Sequence, residues 1–175
     1  MMEIQEYIHC YENVLNLDIC NDIINNSENL NFRKATTFKN SNDRKCYAEL
    51  LDKKYETILY NAVGTVIQKY ADDHKWFMTG ASTNDTGYEH LIYVGSENGE
   101  YKTHVDHFDL HPRVLSCSFI LNEEYDGGDF SFFEGKHIVK KKAGSAVVFP
   151  SNFCFPHAVT PVTNGDRHAV ITWIH

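Results

Sequence analysis

The stretch "THVDH", residues 103–107, contains residue types that bind metal ions, at a spacing that could bring two of them together. If it forms a β-strand, His104 and Asp106 point to one face, because side chains alternate between the two faces of a strand. An imidazole and a carboxylate side by side provide two ligands of the 2-His-1-carboxylate facial triad, which holds iron(II) and leaves coordination positions open. The pattern therefore requires a second histidine from a crossing strand.

His157 is the best candidate for that second histidine, because it opens the alternating run "HAVTPV" about fifty residues downstream. Ten residues beyond it, Arg167 begins one face of the next alternating run. The other members of that face are apolar: Ala169, Ile171 and Trp173. An arginine among buried apolar neighbours is unfavourable unless an anion meets it, and a carboxylate is its natural bidentate partner. The opposite face of this strand, which includes His168, is expected to point outward.

The elements that must position these residues fall into two halves of the chain. Apolar residues recur at helical spacing within residues 12–30, where Asp18 is a possible N-cap, and within residues 48–71. From about residue 88 the sequence changes to short β-branched and aromatic runs separated by Gly, Asn and Pro, which predict seven or more strands. We therefore expect an α+β fold in which a sandwich, barrel or jelly roll carries the N-terminal helices on one face. Residues 1–87 would then serve as scaffold and first strands.

Length and composition restrict the possible partners. A chain of 175 residues with 42% hydrophobic residues is long enough for a single domain with its own core. A formal net charge of −8 argues against a nucleic-acid partner, and the basic run "KHIVKKK" is more typical of a solvated edge strand. No apolar run approaches the ~18 residues of a membrane span, and the N-terminal stretch lacks the pattern of a signal peptide, so we expect a cytoplasmic protein without membrane contact. The five cysteines, odd in number and without CxxC spacing, are expected to be free thiols.

A series of motifs follows in a specific order between residues 88 and 174. After the HxD motif come "LNEEYDGGDF", "AGSAVVFPS", His157 and, ten residues later, Arg167. This order, which covers about half of the chain, resembles the catalytic domain of prolyl 4-hydroxylase-like iron(II)/2-oxoglutarate-dependent oxygenases. The resemblance implies a double-stranded β-helix, a jelly roll of the cupin type, over residues 88–175, within a single oxygenase domain of residues 1–175.

The resemblance also implies roles for individual residues. Three residues are expected to bind iron(II): His104, Asp106 and His157. Arg167 is expected to hold the distal carboxylate of 2-oxoglutarate, in a pocket lined by Tyr93 and Trp173. Arg113 and Tyr101 are expected to contact the substrate.

The activity that the resemblance implies is hydroxylation of a prolyl residue in a peptide or protein. The reaction would consume 2-oxoglutarate and O2, form succinate and carbon dioxide, and use ascorbate as reductant. The segments around residues 72–90 and 107–113 are expected to grip the substrate, and the protein is expected to be a monomer. Two alternatives remain open. The first is the same chemistry on a free amino acid, another side chain or a small metabolite. The second is a catalytically silent cupin-like metal-binding module. Arg167 argues against the second alternative, because a metal-binding module has no need of a buried cation.

One position departs from the family pattern. Ile120 stands where certain relatives place a second tyrosine for the cosubstrate carboxylate, so Arg167 is expected to have another partner, such as Tyr93 or a threonine. Beyond the HxD motif, three further polar residues are expected to belong to a loop that contacts the substrate or nothing: His107, Asp109 and His111.

Overall fold

The computed structural model describes residues 3–29, 32–35, 42–79, 81–82, 84–108, 110 and 112–175. Two α-helices lie in this part of the chain, α1 (Leu17–Asn25) and α2 (Glu56–Asp73). The strands are β1 (His9–Tyr11), β2 (Arg33–Lys34), β3 (Arg44–Lys45), β4 (Tyr47–Leu50), β5 (Glu89–Val94), β6 (Glu100–His104), β7 (Leu115–Ile120), β8 (Asp126–Gly127), β9 (Phe130–Phe132), β10 (His137–Val139), β11 (Ala146–Pro150), β12 (His157–Val159), β13 (Val162–Asn164) and β14 (Asp166–Ile174). Short 3₁₀ turns lie at Ile4–Tyr7, Asn26–Asn29, Lys53–Tyr55, Phe77–Thr79 and Gly95–Glu97.

The strands form two main antiparallel sheets that enclose the core. The larger sheet has the order β1-β11-β7-β14-β5-β4-β2, and the smaller has the order β10-β9-β12-β6-β3. A separate two-stranded antiparallel ribbon consists of β13 and β8. The α+β class, predicted from the spacing of strands and turns, is confirmed, and of the three architectures that the spacing left open the jelly roll is the one that the family resemblance implied. Strands from the first half of the chain form both edges of the larger sheet, β1 and β2, and one edge of the smaller sheet, β3.

The long central strand β14 is buried on both faces. Ile174 and Val170 on its even-numbered face pack with Leu59 and Val66 of α2 in the main core cluster. The prediction that this face, with His168, points outward is therefore wrong, because the helical layer covers it. The alternating pattern of β14 identified the two faces correctly, but the pattern alone does not tell which other element lies against each face.

Both helices begin at residues other than those predicted. The N-cap of α1 is Asn16, whose side-chain oxygen accepts a hydrogen bond from the backbone N–H of Asp18 over 2.8 Å. Asp18 therefore lies inside the first turn, where its negative charge is favourable. The second helix begins only at Glu56, because residues 47–50 pair with β5 as strand β4. Neither helix has the length and apolar character that a membrane-spanning helix requires, within the residues described.

Candidate metal centre

His104 and His157 face each other across neighbouring strands of the smaller sheet. His104 is the last residue of β6 and His157 is the first of β12, and the two are register partners. Their ring centroids lie 4.3 Å apart. The structure thus brings together the two histidines that the sequence singled out.

Asp106 reaches the same place from outside the strand. Because β6 ends at His104, the prediction that "THVDH" is one continuous strand is wrong beyond that residue. The Asp106 carboxylate nevertheless lies beside both rings, with Oδ1 3.4 Å from Nε2 of His104 and Oδ2 3.6 Å from Nε2 of His157. One possible ligand atom of each residue lies within 4.8 Å of the others. We call these three residues the metal triad, and among the described residues no other such group of histidine, cysteine and carboxylate side chains converges.

The second nitrogen of each histidine in the triad is held by the backbone. Nδ1 of His104 lies 2.8 Å from the Lys102 carbonyl oxygen, and Nδ1 of His157 lies 3.0 Å from the Phe155 carbonyl oxygen. A carbonyl oxygen only accepts hydrogen bonds, so both Nδ1 atoms carry a proton and donate it, and Nε2 is the atom of each ring that could bind a metal. Contacts of this kind orient metal-binding imidazoles in proteins.

Hydrogen bonds also hold Asp106 in place. Ser116 Oγ donates to Asp106 Oδ2 over 2.7 Å, and the same hydroxyl lies 2.8 Å from Ser151 Oγ. Arg113 Nη1 donates to the backbone carbonyl oxygen of Asp106 over 3.2 Å. The carboxylate is therefore oriented although it lies in a loop and not on a strand.

The electrostatics of the triad favour the protonation states that bind a metal. Burial alone would raise the pKa of Asp106, but the two histidines and Ser116 outweigh burial and hold this pKa well below its usual range. Burial lowers the pKa of His157 to about 4, although the Asp106 charge opposes the shift. At neutral pH the carboxylate is ionised and His157 is neutral. Two imidazole nitrogens and one carboxylate oxygen, converging in this way, are a donor set that fits iron(II) bound by one face.

An aromatic wall lies behind His157, which is 4% exposed. Its members are Phe130, Phe132 and Phe149, whose ring centroids lie 5.5, 5.5 and 4.7 Å from that of His157. Ile120, the position that departs from the family pattern, belongs to the same apolar cluster. This side of the triad is closed to water.

Arg167 lies inside the fold, where it is 3% exposed. It is the register partner of Tyr93 in β5, and its Cζ lies 5.0 Å from the centre of the Tyr93 ring and 6.0 Å from that of Phe130. Burial raises the pKa of Tyr125, and the charge of Arg167 with a hydrogen bond between the two side chains opposes this shift. We call Arg167, Tyr93, Tyr125 and Phe130 the carboxylate pocket. Among the described residues no carboxylate forms an ion pair with this guanidinium.

Trp173, which was predicted to line the same pocket as Arg167, lies beside Arg113. The Cζ atom of Arg113 is 3.6 Å from the centre of the Trp173 ring and 5.6 Å from that of Phe108. Trp173 is also the register partner of Ser116, which binds Asp106. The structure therefore groups Trp173 with the metal triad, at the opposite end of β14 from Arg167.

Tyr101 lies against the triad itself. Its ring stacks on that of His104, with centroids 3.4 Å apart and planes inclined by 15°. A residue predicted to contact the substrate is thus in direct contact with a predicted metal ligand. Asp109 and His111 lie outside the described residues.

Three residues near the site were missed by the sequence analysis: Arg44, Cys46 and Tyr125. Tyr125 stands in the quoted motif "LNEEYDGGDF", so its place in that motif was a usable signal.

Arg44 lies on β3, in the half of the chain that was expected to be scaffold. Its Nε donates to Cys46 Sγ over 3.1 Å, and its Cζ lies 4.8 Å from the centre of the Tyr101 ring. No local pattern indicates this position, because it depends on the pairing of β3 with β6.

Comparisons with known proteins agree with this geometry. A family model described as the 2OG-Fe(II) oxygenase superfamily matches residues 89–175. A PKHD-type hydroxylase of Psychrobacter sp. (strain PRwf-1) is 30% identical over 129 residues, which are 66% of this chain and 48% of the relative. A PKHD-type hydroxylase of Colwellia psychrerythraea is 32% identical over 128 residues, which are 68% of this chain and 56% of the relative. The chain spans about half the length of the curated relatives it matches.

Solved structures share the fold over nearly the whole chain. A prolyl-4-hydroxylase of Pseudomonas putida superposes with a TM-score of 0.72 and 20% identity, covering 97% of this chain and 92% of that one. A prolyl hydroxylase from Trichoplax adhaerens, solved with a peptide fragment of the hypoxia inducible factor oxygen degradation domain, superposes with a TM-score of 0.77 and 19% identity, covering 96% of this chain and 83% of that one. At these identities the likeness concerns the fold, which is the double-stranded β-helix expected from the motif order.

Proposed function

Because the chain belongs to the 2OG-Fe(II) oxygenase superfamily, we propose that it is a 2-oxoglutarate-dependent dioxygenase that hydroxylates a prolyl residue in a peptide or protein. The observation that carries this proposal is the combination of the metal triad with a buried arginine that has no carboxylate partner among the described residues. An enzyme that binds a metal and a dicarboxylic acid together needs both a site for a cation and a site for an anion.

In this proposal His104, Asp106 and His157 hold iron(II) through two Nε2 atoms and one carboxylate oxygen. When bound, iron(II) supplies, with 2-oxoglutarate and O2, the chemistry that inserts one oxygen atom into a C–H bond of the substrate while 2-oxoglutarate becomes succinate and carbon dioxide. The protein contributes orientation and protection from water. Ser116 and the two backbone carbonyls orient the ligands, and the aromatic wall behind His157 excludes water.

The carboxylate pocket would hold the distal carboxylate of 2-oxoglutarate. Arg167 offers a planar fork of N–H donors that matches a carboxylate. Tyr93 and Tyr125, which are 2% and 4% exposed, place phenol groups beside the guanidinium. We propose that these two tyrosines take the part of the second tyrosine that certain relatives have at the position of Ile120.

A prolyl substrate is favoured over the alternatives by two observations. The fold matches a prolyl-4-hydroxylase and a prolyl hydroxylase solved with a peptide. Arg113, Tyr101 and Trp173 surround the triad with flat aromatic and cationic surfaces, which suit an extended peptide. Free amino acids, other side chains and small metabolites remain the second candidates for the same chemistry.

Further parts of the proposal concern the whole protein. We propose that residues 1–175 act as one monomeric oxygenase domain, that ascorbate serves as reductant, and that the protein works in the cytoplasm. The five free cysteines are consistent with a reducing compartment.

The test is a turnover assay with a peptide library, iron(II), 2-oxoglutarate and ascorbate, in which mass spectrometry detects a gain of one oxygen atom. Modification at proline, coupled to succinate formation, is expected. Turnover of 2-oxoglutarate with a free amino acid but no peptide would favour the second candidate. No 2-oxoglutarate turnover with any substrate, from protein shown to bind iron(II), would contradict the proposed function.

A further inference from the structure

Arg44 is a second cation at the site, and it comes from a different part of the fold than Arg167. It lies on β3, the edge strand of the smaller sheet, where it is the register partner of Tyr101. Its guanidinium lies over the Tyr101 ring, at 4.8 Å, and Tyr101 in turn stacks on His104. A single aromatic ring therefore connects Arg44 to the metal triad.

The Arg44 side chain interacts with Cys46, Tyr93 and Tyr101, and none of these groups is negatively charged at neutral pH. Its Nε donates to Cys46, and Tyr93 lies close enough to interact with it electrostatically. Burial raises the pKa of Tyr93 and also that of Cys46, so both groups are neutral. Among the described residues Arg44 forms no ion pair with a carboxylate. A partly buried guanidinium without a counter-ion is unfavourable unless a ligand brings one.

Arg113 provides a second positive charge on the same side of the triad. Burial lowers the pKa of its guanidinium, and the positive charge of Arg44 acts in the same direction. Both arginines also act on Tyr101, which lies near each of them. Two guanidinium groups thus lie near Tyr101, and the Asp106 and Glu89 carboxylates offset part of the Arg113 charge.

We propose that Arg44 and Arg113 bind a carboxylate of the substrate, so that the carbon to be hydroxylated lies close to an acidic group. This inference rests on the proposed function and adds the chemical class of its substrate. The carboxylate could be an acidic side chain next to the target residue or the free carboxylate of a terminal residue or amino acid. Tyr93 interacts with both Arg44 and Arg167, but Arg44 also lies over Tyr101, the ring that stacks on His104 of the metal triad, and this contact assigns Arg44 to the substrate.

The experiment compares matched proline peptides, blocked at both ends, in which the flanking residue is Asp, Asn or Lys. Binding is measured by fluorescence anisotropy and turnover by succinate formation. The wild type is expected to bind and turn over the Asp peptide best. A second pair, with proline at a free or an amidated C-terminus, tells whether the carboxylate comes from a side chain or from the chain end.

Arg44→Ala is expected to raise the KM for the preferred acidic peptide by about thirtyfold, the effect of losing one buried charged contact, while the KM for 2-oxoglutarate stays within about twofold. Arg44→Lys should recover part of the loss. Arg44→Glu should shift the preference towards the Lys peptide, which a merely structural arginine would not do. Lys45→Ala is the matched control, because it removes a cation from the next position of the same strand, where Lys45 Nζ lies 3.4 Å from Glu100 Oε1.

Three results would overturn the inference. The first is equal binding of all peptides by the wild type, in the presence of normal 2-oxoglutarate turnover. The second is an Arg44→Ala effect confined to the KM for 2-oxoglutarate, which would assign Arg44 to the cosubstrate. The third is an equal loss in Lys45→Ala. Absence of any 2-oxoglutarate turnover in the wild type is a different result, which contradicts the proposed function, while the anisotropy comparison still tests the acidic preference.

Discussion

The metal triad and the carboxylate pocket share Phe130, which lies near both His157 and Arg167, but they balance their charges in opposite ways. In the triad, the Asp106 carboxylate faces two imidazoles and accepts a hydrogen bond from Ser116. In the pocket, Arg167 is surrounded by phenol and phenyl rings and has no carboxylate partner among the described residues. The first region thus contains converging donors that could hold a cation, whereas the second contains a buried cation for which the described residues provide no carboxylate. The two regions should therefore respond to mutation in different kinetic parameters.

The largest effect is expected in the triad. His157→Ala should abolish 2-oxoglutarate turnover. The loss should exceed about 100-fold, which is the upper range for removing a residue that only hydrogen-bonds to a metal ligand. The reason is that two remaining ligands hold the metal weakly and in the wrong geometry. Turnover and iron content after dialysis are the measurements. His137→Ala, which changes a histidine of β10 outside the triad, is the control, and near-normal turnover in His157→Ala would refute the assignment.

Arg167→Ala tests the carboxylate pocket. Loss of a charge-assisted contact to a buried carboxylate costs about 2–5 kcal/mol, so the KM for 2-oxoglutarate should rise by roughly thirtyfold to several-thousandfold. The KM for the acceptor should change much less, and Arg167→Lys should fall between the two because an ammonium lacks the planar fork. An unchanged dependence on 2-oxoglutarate would favour the metal-binding module instead.

A third prediction concerns His90, a buried histidine that, unlike His157, has no carboxylate beside it. His90 is fully buried, its Nε2 lies 3.0 Å from Nδ1 of His168, and its Nδ1 has no partner among the described residues. Burial, with His168 as a second cause, lowers the pKa of His90 to about 3. Below about pH 6.5 His90 binds a proton in the unfolded state but stays neutral in the folded state, because its folded pKa is about 3. The free energy of unfolding is therefore highest above pH 6.5 and decreases as the pH falls towards 3.

From this shift we expect the free energy of unfolding to decrease by about 2 kcal/mol between pH 6.5 and pH 5. Urea unfolding at a series of pH values measures it. The same series on His90→Phe should show a flatter pH dependence, because the variant has no imidazole to protonate at this position. An identical slope in the two proteins would assign the acid sensitivity to other groups.

The smallest effect is expected from Ser116→Ala, which leaves all three ligands of the triad in place. Ser116 orients Asp106, and removing such an outer contact should weaken iron(II) binding by about tenfold. Competition with a chelator measures this affinity. Ser118→Ala, two residues further along β7, is the control, and equal changes in the two variants would mean that the Ser116 contact does not position the carboxylate.

The individual predictions differ in how far local sequence information reaches. His104 and Asp106 are only two residues apart, so they lie close together even though β6 ends at His104. The helix predicted from residue 48 begins only at Glu56, because pairing of β4 with β5 overrides the apolar spacing of residues 47–50. The outward face predicted for His168 is covered by α2, which lies about 100 residues earlier in the chain. Errors thus arise wherever a distant element decides the environment.

Residue types that could bind a metal and an anion can be recognised in the sequence without any structure. Periodicity along strands and the order of motifs are local properties, and they singled out His104, Asp106, His157 and Arg167. Strand pairing places Arg44 of the edge strand β3, together with Cys46 just after it, beside Tyr101 and Tyr93, and no pattern in the sequence indicates this. The physical reason is that hydrogen-bonded pairing joins strands irrespective of their distance along the chain, so the charges that surround a site are set by the sheet order and not by neighbours in sequence.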